Sequence, residues 1–282
     1  MKILVTGAKG QLGTDVVNEL KNRNITVMET DIGEMDITDI TAVRGSMLSF
    51  RPDAIIHCAA YTLVDAAEEN RELCSRINIT GTENIAAVCH EIDAAMMYIS
   101  TDYVFDGEGA EPWKPENACR PVNYYGETKR SGELAVMRLL DKFFIVRISW
   151  AFGKNGGNFV KTMLRLAKEK GSVSVVSDQF GAPTYTKDLS VLLADMIVSE
   201  KYGIYHAPND GVCSWYEFAL EIFKLSGLNI PVIPVTSEQY KSKAKRPKNS
   251  RLDKSKLREN GFDPLPDWKD ALARFLSGMS DI

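Results

Sequence analysis

The feature that most constrains this chain is a regular alternation of short apolar runs with helix-length segments. The runs are Lys2 to Thr6, Ile25 to Met28, Ala54 to Cys58, Ala95 to Ile99, Phe143 to Ile148 and Gly203 to His206. An amphipathic stretch from Leu12 to Leu20 follows the first at helical spacing. Runs this apolar suit strands covered on both faces, and parallel strands need crossover helices, so the pattern predicts an α/β fold with a doubly wound parallel sheet. The right-handed crossover rule makes a Rossmann-like topology the leading arrangement.

After Trp150 the pattern changes to a glycine-rich turn (Gly153, Gly156, Gly157), a helical segment Phe159 to Lys170 and a strand-like Ser172 to Val176. This predicts a smaller, interleaved α/β domain over roughly 151–185 and 208–282, inserted into a Rossmann domain of 1–150 plus roughly 186–207. The tail from Pro231 carries Pro234, Pro247, Pro264 and Pro266 and the basic stretch Lys241 to Arg251, which predicts a loop-rich, surface-lying segment.

Charge and composition exclude several functions. With 34 basic against 38 acidic residues the net charge is -4, which argues against a nucleic-acid polymer as partner. No run approaches the roughly 18 apolar residues that span a bilayer, and Met1 to Gly7 reaches glycine too soon for a signal-peptide core, so no membrane association and a cytoplasmic location are expected. The five cysteines are widely spaced without a Cys-x-x-Cys pair, fitting neither a disulfide framework nor a zinc cluster. His57, His90 and His206 stand in no hydrolase or metalloprotease pattern and are read as structural.

Gly7-Ala8-Lys9-Gly10-Gln11-Leu12-Gly13 lies between the first strand and the first helix, where a phosphate-cradling loop belongs. Glycines let the backbone turn sharply and approach a pyrophosphate, which the N–H groups and dipole of the helix start favour. The spacing is G-x-x-G-x-x-G, and a plain structural turn is the alternative reading. Asp31, ending the second strand about 20 residues on, is placed to accept hydrogen bonds from an adenosine ribose, or is simply a solvated carboxylate.

A second constellation is Ser100-Thr101-Asp102-Tyr103 at a strand end, followed by Tyr125-Gly126-Glu127-Thr128-Lys129. Tyr125 and Lys129, four apart, share one helix face and can converge on one ligand. A nearby ammonium is expected to lower the tyrosine pKa from about 10 towards a range useful for proton transfer, and the Thr101 hydroxyl could hold the same oxygen.

Together the glycine loop, Ala59-Ala60, Asn78, the Ser-Thr pair and Y-x-x-x-K resemble the extended short-chain dehydrogenase/reductase family over essentially the whole chain. The likeness extends to its sugar-nucleotide reductases through Ser100 to Gly107, Tyr124 to Lys129, Arg147 to Trp150, Asp178 to Thr184 and Arg246 to Leu252. It implies an NAD(P)H-dependent oxidoreductase reducing dTDP-4-dehydro-β-L-rhamnose to dTDP-L-rhamnose, the last step towards an activated sugar for cell-surface polysaccharide. Thr101, Tyr125 and Lys129 would be catalytic, with Tyr125 as proton donor. Gly7, Gly10, Gln11, Leu12, Gly13, Asp31, Asp36, Ile37, Ala59, Ala60, Tyr61 and Ser100 would bind the cofactor with Tyr125 and Lys129. Thr101, Asp102, Tyr103, Trp150 and Arg246 would face the sugar nucleotide. Plain core packing is the alternative for Trp150, as a solvated charge run is for Lys248 and Arg251.

Similar dehydratases carry glutamate where Tyr103 stands, which argues here for simple reduction. The resemblance implies NADPH with NADH tolerated: Asp31 suits an NADH ribose, while Lys9 could attract a 2'-phosphate. It allows a homodimer. Some relatives hold magnesium at a subunit interface; Asp15 could match one ligand, but Tyr185 to Asp188 does not clearly supply another, so no essential metal is expected. Two other readings stay open: a reductase of another dTDP-4-keto-6-deoxyhexose, and a non-catalytic nucleotide-binding regulatory subunit.

Overall fold

The computed structural model describes residues 1–279. Strands β1 (Lys2–Thr6), β2 (Thr26–Thr30), β3 (Ala54–His57), β4 (Ala95–Thr101) and β5 (Phe143–Ile148) form one sheet with the late strand Gly203–His206. Its order is β2-β1-β3-β4-β5 and then Gly203–His206, every pair parallel. The chain leaves β1 in one direction to form β2 and returns across it to form β3. That reversal opens a crevice at the carboxyl ends of β1 and β3, where ligands bind in open sheets of this kind.

Side chains alternate across the sheet and account for the continuous apolar runs. Ile3 and Val5 of β1, with Ile56, Met97 and Val146, pack against Val16 and Leu20 of helix Gln11–Asn22 and Leu189 and Leu193 of helix Thr186–Ile197. Leu4, Ile55, Met96, Tyr98 and Ile145 face the other way, against helices Ile40–Phe50, Thr82–Ile92 and Tyr124–Leu139.

A separate core gathers Phe152, Val160, Val175, Tyr185, Phe218 and Phe275 beyond β5. Here Val173–Val176 pairs in parallel with Val232–Val235, and Phe180–Gly181 pairs with both Cys213–Ser214 and Asn249–Ser250. The tail differs from its expected surface-loop character. Trp268, Ala271, Leu272 and Phe275 recur at helical spacing and are buried on helix Trp268–Ser277, a periodicity that the preceding prolines mask. All five cysteines are free, and among the described residues no helix is long and apolar enough to cross a membrane.

Candidate active site

The glycine loop is built for close backbone approach. Gly7 has φ +62°, and a Cβ there would stand 2.8 Å from the Ala59 backbone, where β1 and β3 diverge. A Cβ on Gly13 would lie 2.0 Å from the Gly7 carbonyl oxygen, so the first helical turn presses directly on the loop. Gly10 caps helix Gln11–Asn22 without a side-chain hydrogen bond, leaving the first N–H groups to an anion. A dinucleotide pyrophosphate therefore fits this cradle. Gln11 accepts a bond from Asn158 (2.9 Å), linking the loop to the second core, while Leu12 packs on the first.

Around the cradle, Asp31 directly follows β2 and accepts from the backbone N–H of Lys9 (3.1 Å) and of Ile32 (2.9 Å). The Lys9 ammonium is held by Glu34 at 2.5 Å. Asp36 accepts from the N–H and hydroxyl of Thr38, both 2.8 Å, which lowers its pKa. Ile37 is buried against Gly81. On the β3 side, Ala59 N–H donates to Thr6 Oγ1 (3.2 Å), and the Tyr61 backbone donates to Asn78 Oδ1 (2.8 Å). Ala60 lies between them in the same partly exposed segment.

Thr101 closes β4 and caps the following turn, its Oγ1 accepting from Tyr103 N–H at 3.2 Å and donating to Asp102 Oδ1 at 3.0 Å. Helix Tyr124–Leu139 starts beside it, capped by Asn123, whose Oδ1 accepts from Gly126 N–H at 2.8 Å. Gly126 is required there, since a Cβ would lie 2.2 Å from the Tyr103 carbonyl oxygen. The helix start and the β4 end are thus pressed together, bringing Tyr125 to Thr101 and edge-on to the Tyr103 ring, centroids 5.8 Å apart. Lys129, one turn on and 2% exposed, donates to the Ile99 carbonyl at 2.8 Å, its ammonium 4.0 Å from the Tyr98 ring centroid.

The electrostatics differ from expectation at Tyr125. Burial pushes the phenol above its ordinary range, the Asp102 and Tyr103 charges add to the rise, and hydrogen bonding with Thr101 opposes it. The ammonium that was to lower it is turned to Ile99 instead. Burial also lowers Lys129 to about 7, against the opposing pull of Glu133. Asp102, 3% exposed, is raised by burial to about 6 against the opposing hydrogen bonding of Ser250 and Thr101, and among the described residues its Oδ2 has no close hydrogen-bond partner.

Two other predicted side chains are already engaged. The Ser100 hydroxyl donates to Glu133 Oε1 at 2.6 Å, on the opposite side of β4 from Thr101, so only its backbone is open to a ligand. Arg246 donates both Nη groups to Asp65, at 3.0 and 2.7 Å, so its bidentate face is occupied by a carboxylate rather than left open for a diphosphate. Lys248 pairs with Asp178 (3.3 Å), and Arg251 lies over the Phe180 ring. Trp150, at φ +50°, stacks on Trp215 with centroids 3.8 Å apart. Trp215, Phe159, Gln179, Asp65 and Arg246 line a cavity of about 240 Å³.

The family model for the RmlD substrate binding domain matches residues 1–280. The chain belongs to that family. Among its curated relatives, the spore coat polysaccharide biosynthesis protein SpsK of Bacillus subtilis is 40% identical, over 99% of this chain and 98% of its own. The dTDP-4-dehydrorhamnose reductase of Streptomyces griseus is also 40% identical, over 95% and 91%. The crystal structure of dTDP-4-dehydrorhamnose reductase from Bacillus anthracis in complex with NADP superimposes with a TM-score of 0.96 at 44% identity, covering 98% of this chain and 99% of that one.

In this member of the RmlD family several polar residues tie the segments around Thr101 and Tyr125 together. Asn78 lies in a π-helical turn, Arg76–Gly81, and donates to the Tyr61 carbonyl (3.1 Å) and Thr128 Oγ1 (3.0 Å), joining the β3 loop to the tyrosine helix. Asn123 donates to the Lys245 carbonyl at 2.8 Å, anchoring the basic segment beside the same helix. His57 is buried, bonded to Thr6 and Thr82, and lowered by burial to about 3, while His206 is buried against Arg147. Asp15 accepts from Thr186 at 2.5 Å, and among the described residues no three acidic, histidine or cysteine side chains form a metal-sized cluster.

Proposed function

We propose that this protein reduces dTDP-4-dehydro-β-L-rhamnose to dTDP-L-rhamnose with NADPH, NADH being tolerated. The observation that carries the reading is the pressing of the Tyr125 helix onto the Thr101 strand end beside an uncapped glycine cradle. The 40% identical reductase and the NADP complex of the 44% identical one support the substrate and the cofactor.

The nucleotide occupies the main-sheet domain, 1–150 with roughly 186–207, its pyrophosphate on the Gly7 to Gly13 backbone. The bound cofactor supplies a hydride to the sugar C4 carbon. Thr101 and Tyr125 hold the C4 oxygen, and the raised pKa of Tyr125 keeps its proton in place until negative charge develops there. Tyr125 then donates that proton, and Lys129 holds the nicotinamide ribose. Tyr103 and Trp150 flank the sugar, while the Phe159 and Trp215 faces of the adjoining cavity suit a planar base.

The test is oxidation of NADPH and NADH with enzymatically prepared dTDP-4-dehydro-β-L-rhamnose, the product identified by the NMR spectrum of its sugar. Appearance of dTDP-L-rhamnose is expected. Cofactor binding without consumption would overturn the substrate.

A further inference from the structure

Behind the triad lies a buried ionic cluster that the proposed chemistry does not use. Glu133 is wholly buried, one helical turn beyond Lys129. Its Oε1 accepts from Ser100 Oγ (2.6 Å) and Arg147 Nε (2.8 Å), and its Oε2 from Arg147 Nη2 (2.8 Å) and Arg130 Nη1 (2.7 Å). Arg147, opposite Ser100 in the β4–β5 register, also meets the Pro115 carbonyl, His206 and Cys119. A charge cluster this deep is costly to assemble when apolar packing could close the same space, so stability alone is a weak reason for it.

Its placement supplies another. Ser100 immediately follows Ile99, whose carbonyl receives the Lys129 ammonium, and immediately precedes Thr101. One carboxylate therefore ties the helix carrying Tyr125 and Lys129 to the strand end carrying Thr101. We propose that Glu133 is a positioning residue for the reduction, fixing the Lys129 ammonium against the end of β4 through Ser100 and through its own negative charge.

The groups facing Lys129 make that charge matter. Tyr98 and the Ile99 carbonyl come from β4, His57 from the end of β3 and Cys58 just after it, Cys74 from helix Arg71–Ser75, and Glu133 from its own helix. Burial disfavours the ammonium, and Glu133 heads the groups that oppose this. Cys58 is itself pushed up to about 12 by burial and Cys74 is also raised, so both are neutral near pH 7 and Glu133 carries the one full negative charge among the groups acting on Lys129.

The inference rests on Lys129 serving as the cofactor-holding cation, and the experiment separates the two. Glu133→Gln, Glu133→Asp, Ser100→Ala and Lys129→Met are compared by the pH dependence of kcat and the KM for NADPH. Glu133→Gln is expected to move the alkaline loss of activity towards acid by about one pH unit and to raise the NADPH KM about tenfold above neutrality. Glu133→Asp, which keeps the charge, restores the limb. A folded Glu133→Gln enzyme with the parent pH profile, or an Asp variant as displaced as the Gln one, overturns the proposal. Should Glu133→Gln not fold, Ser100→Ala is the deciding variant: a roughly tenfold loss in kcat/KM supports the tie, and parent kinetics overturn it. If Lys129→Met keeps normal kinetics, the reading of Lys129 falls; if it is inactive while Glu133→Gln is unchanged, only the role of Glu133 falls.

Discussion

Arg246 and Asp65 meet as a bidentate pair, Nη1 to Oδ1 at 3.0 Å and Nη2 to Oδ2 at 2.7 Å, joining the basic segment after helix Ser237–Tyr240 to helix Val64–Ala67, which follows β3. The guanidinium holds the Asp65 carboxyl below its ordinary range. Since the carboxylate is 43% exposed, the pair contributes at most about 1 kcal/mol, and a diphosphate carrying two charges can displace it. Arg246→Ala should therefore raise the sugar-nucleotide KM about tenfold or more while leaving the NADPH KM unchanged. Asp65→Asn, which frees the guanidinium, should lower the same KM. Initial-rate kinetics with each substrate varied would separate these effects, and an unmoved sugar-nucleotide KM in Arg246→Ala would leave the pair a purely structural contact.

Tyr125→Phe removes the proton donor but keeps the ring that packs edge-on to Tyr103. NADPH affinity, read by quenching of protein fluorescence, should be nearly unchanged, while kcat falls by roughly 10²- to 10⁴-fold. Turnover at the parent rate would mean that the proton comes from another group.

Much of this was legible in the sequence, for identifiable reasons. The strands at Lys2, Ala54, Ala95 and Phe143 are apolar on both faces, a pattern that only a covered parallel sheet explains, and their observed spans lie within two residues of those expected. The approach of Tyr125 to Thr101 was legible because helical spacing and a strand end fix where such side chains lie. What stayed hidden depends on partners distant in sequence. Asp65 claims Arg246 from 181 positions away, Glu133 claims Ser100 from 33 away, and Lys129 turns to a backbone carbonyl that carries no residue signature. The burial that raises Tyr125 and lowers Lys129 is likewise a property of assembled layers, which local spacing does not encode.

The glycines of the cradle are not equivalent. At Gly13 an added Cβ would stand 2.0 Å from the Gly7 carbonyl oxygen, a backbone atom that cannot swing aside, whereas at Gly10 the nearest atom is 3.1 Å away. Gly13→Ala should cost about 1–3 kcal/mol or more in stability and abolish measurable NADPH binding. Gly10→Ala should bind the cofactor with a several-fold weaker Kd and unfold near the parent temperature. Thermal unfolding with and without NADPH checks both, and equal behaviour of the two variants would contradict the close approach at Gly13.

Asp102 makes its own contribution to the pH response. Burial raises its pKa to about 6 from an ordinary 3.8, and among the described residues its Oδ2 is buried without a close partner. For an acid raised in the folded state, the sign is fixed: the stabilisation is complete below the unfolded pKa and is lost as pH rises through the folded one. Between about pH 4 and 6 the Asp102 contribution should fall by up to about 3 kcal/mol for a two-unit shift, while His57 and His206, buried neutral and lowered in the folded state, gain stability over the same window; above it the ionised Asp102 carboxylate remains as a constant penalty. Asp102→Asn cannot ionise, so the excess of its unfolding temperature over that of the parent should grow across the window and reach several degrees near pH 7. The same variant should lose activity, because a buried carboxylate retained beside Thr101 and Tyr125 at a cost in stability is the pattern of a site shaped for its ligand. Thermal melts of both proteins from pH 4 to pH 8, paired with turnover at each pH, decide it. A variant that melts below the parent near pH 7 would mean that the ionised Asp102 is stabilised by its surroundings, and the assigned penalty would be wrong.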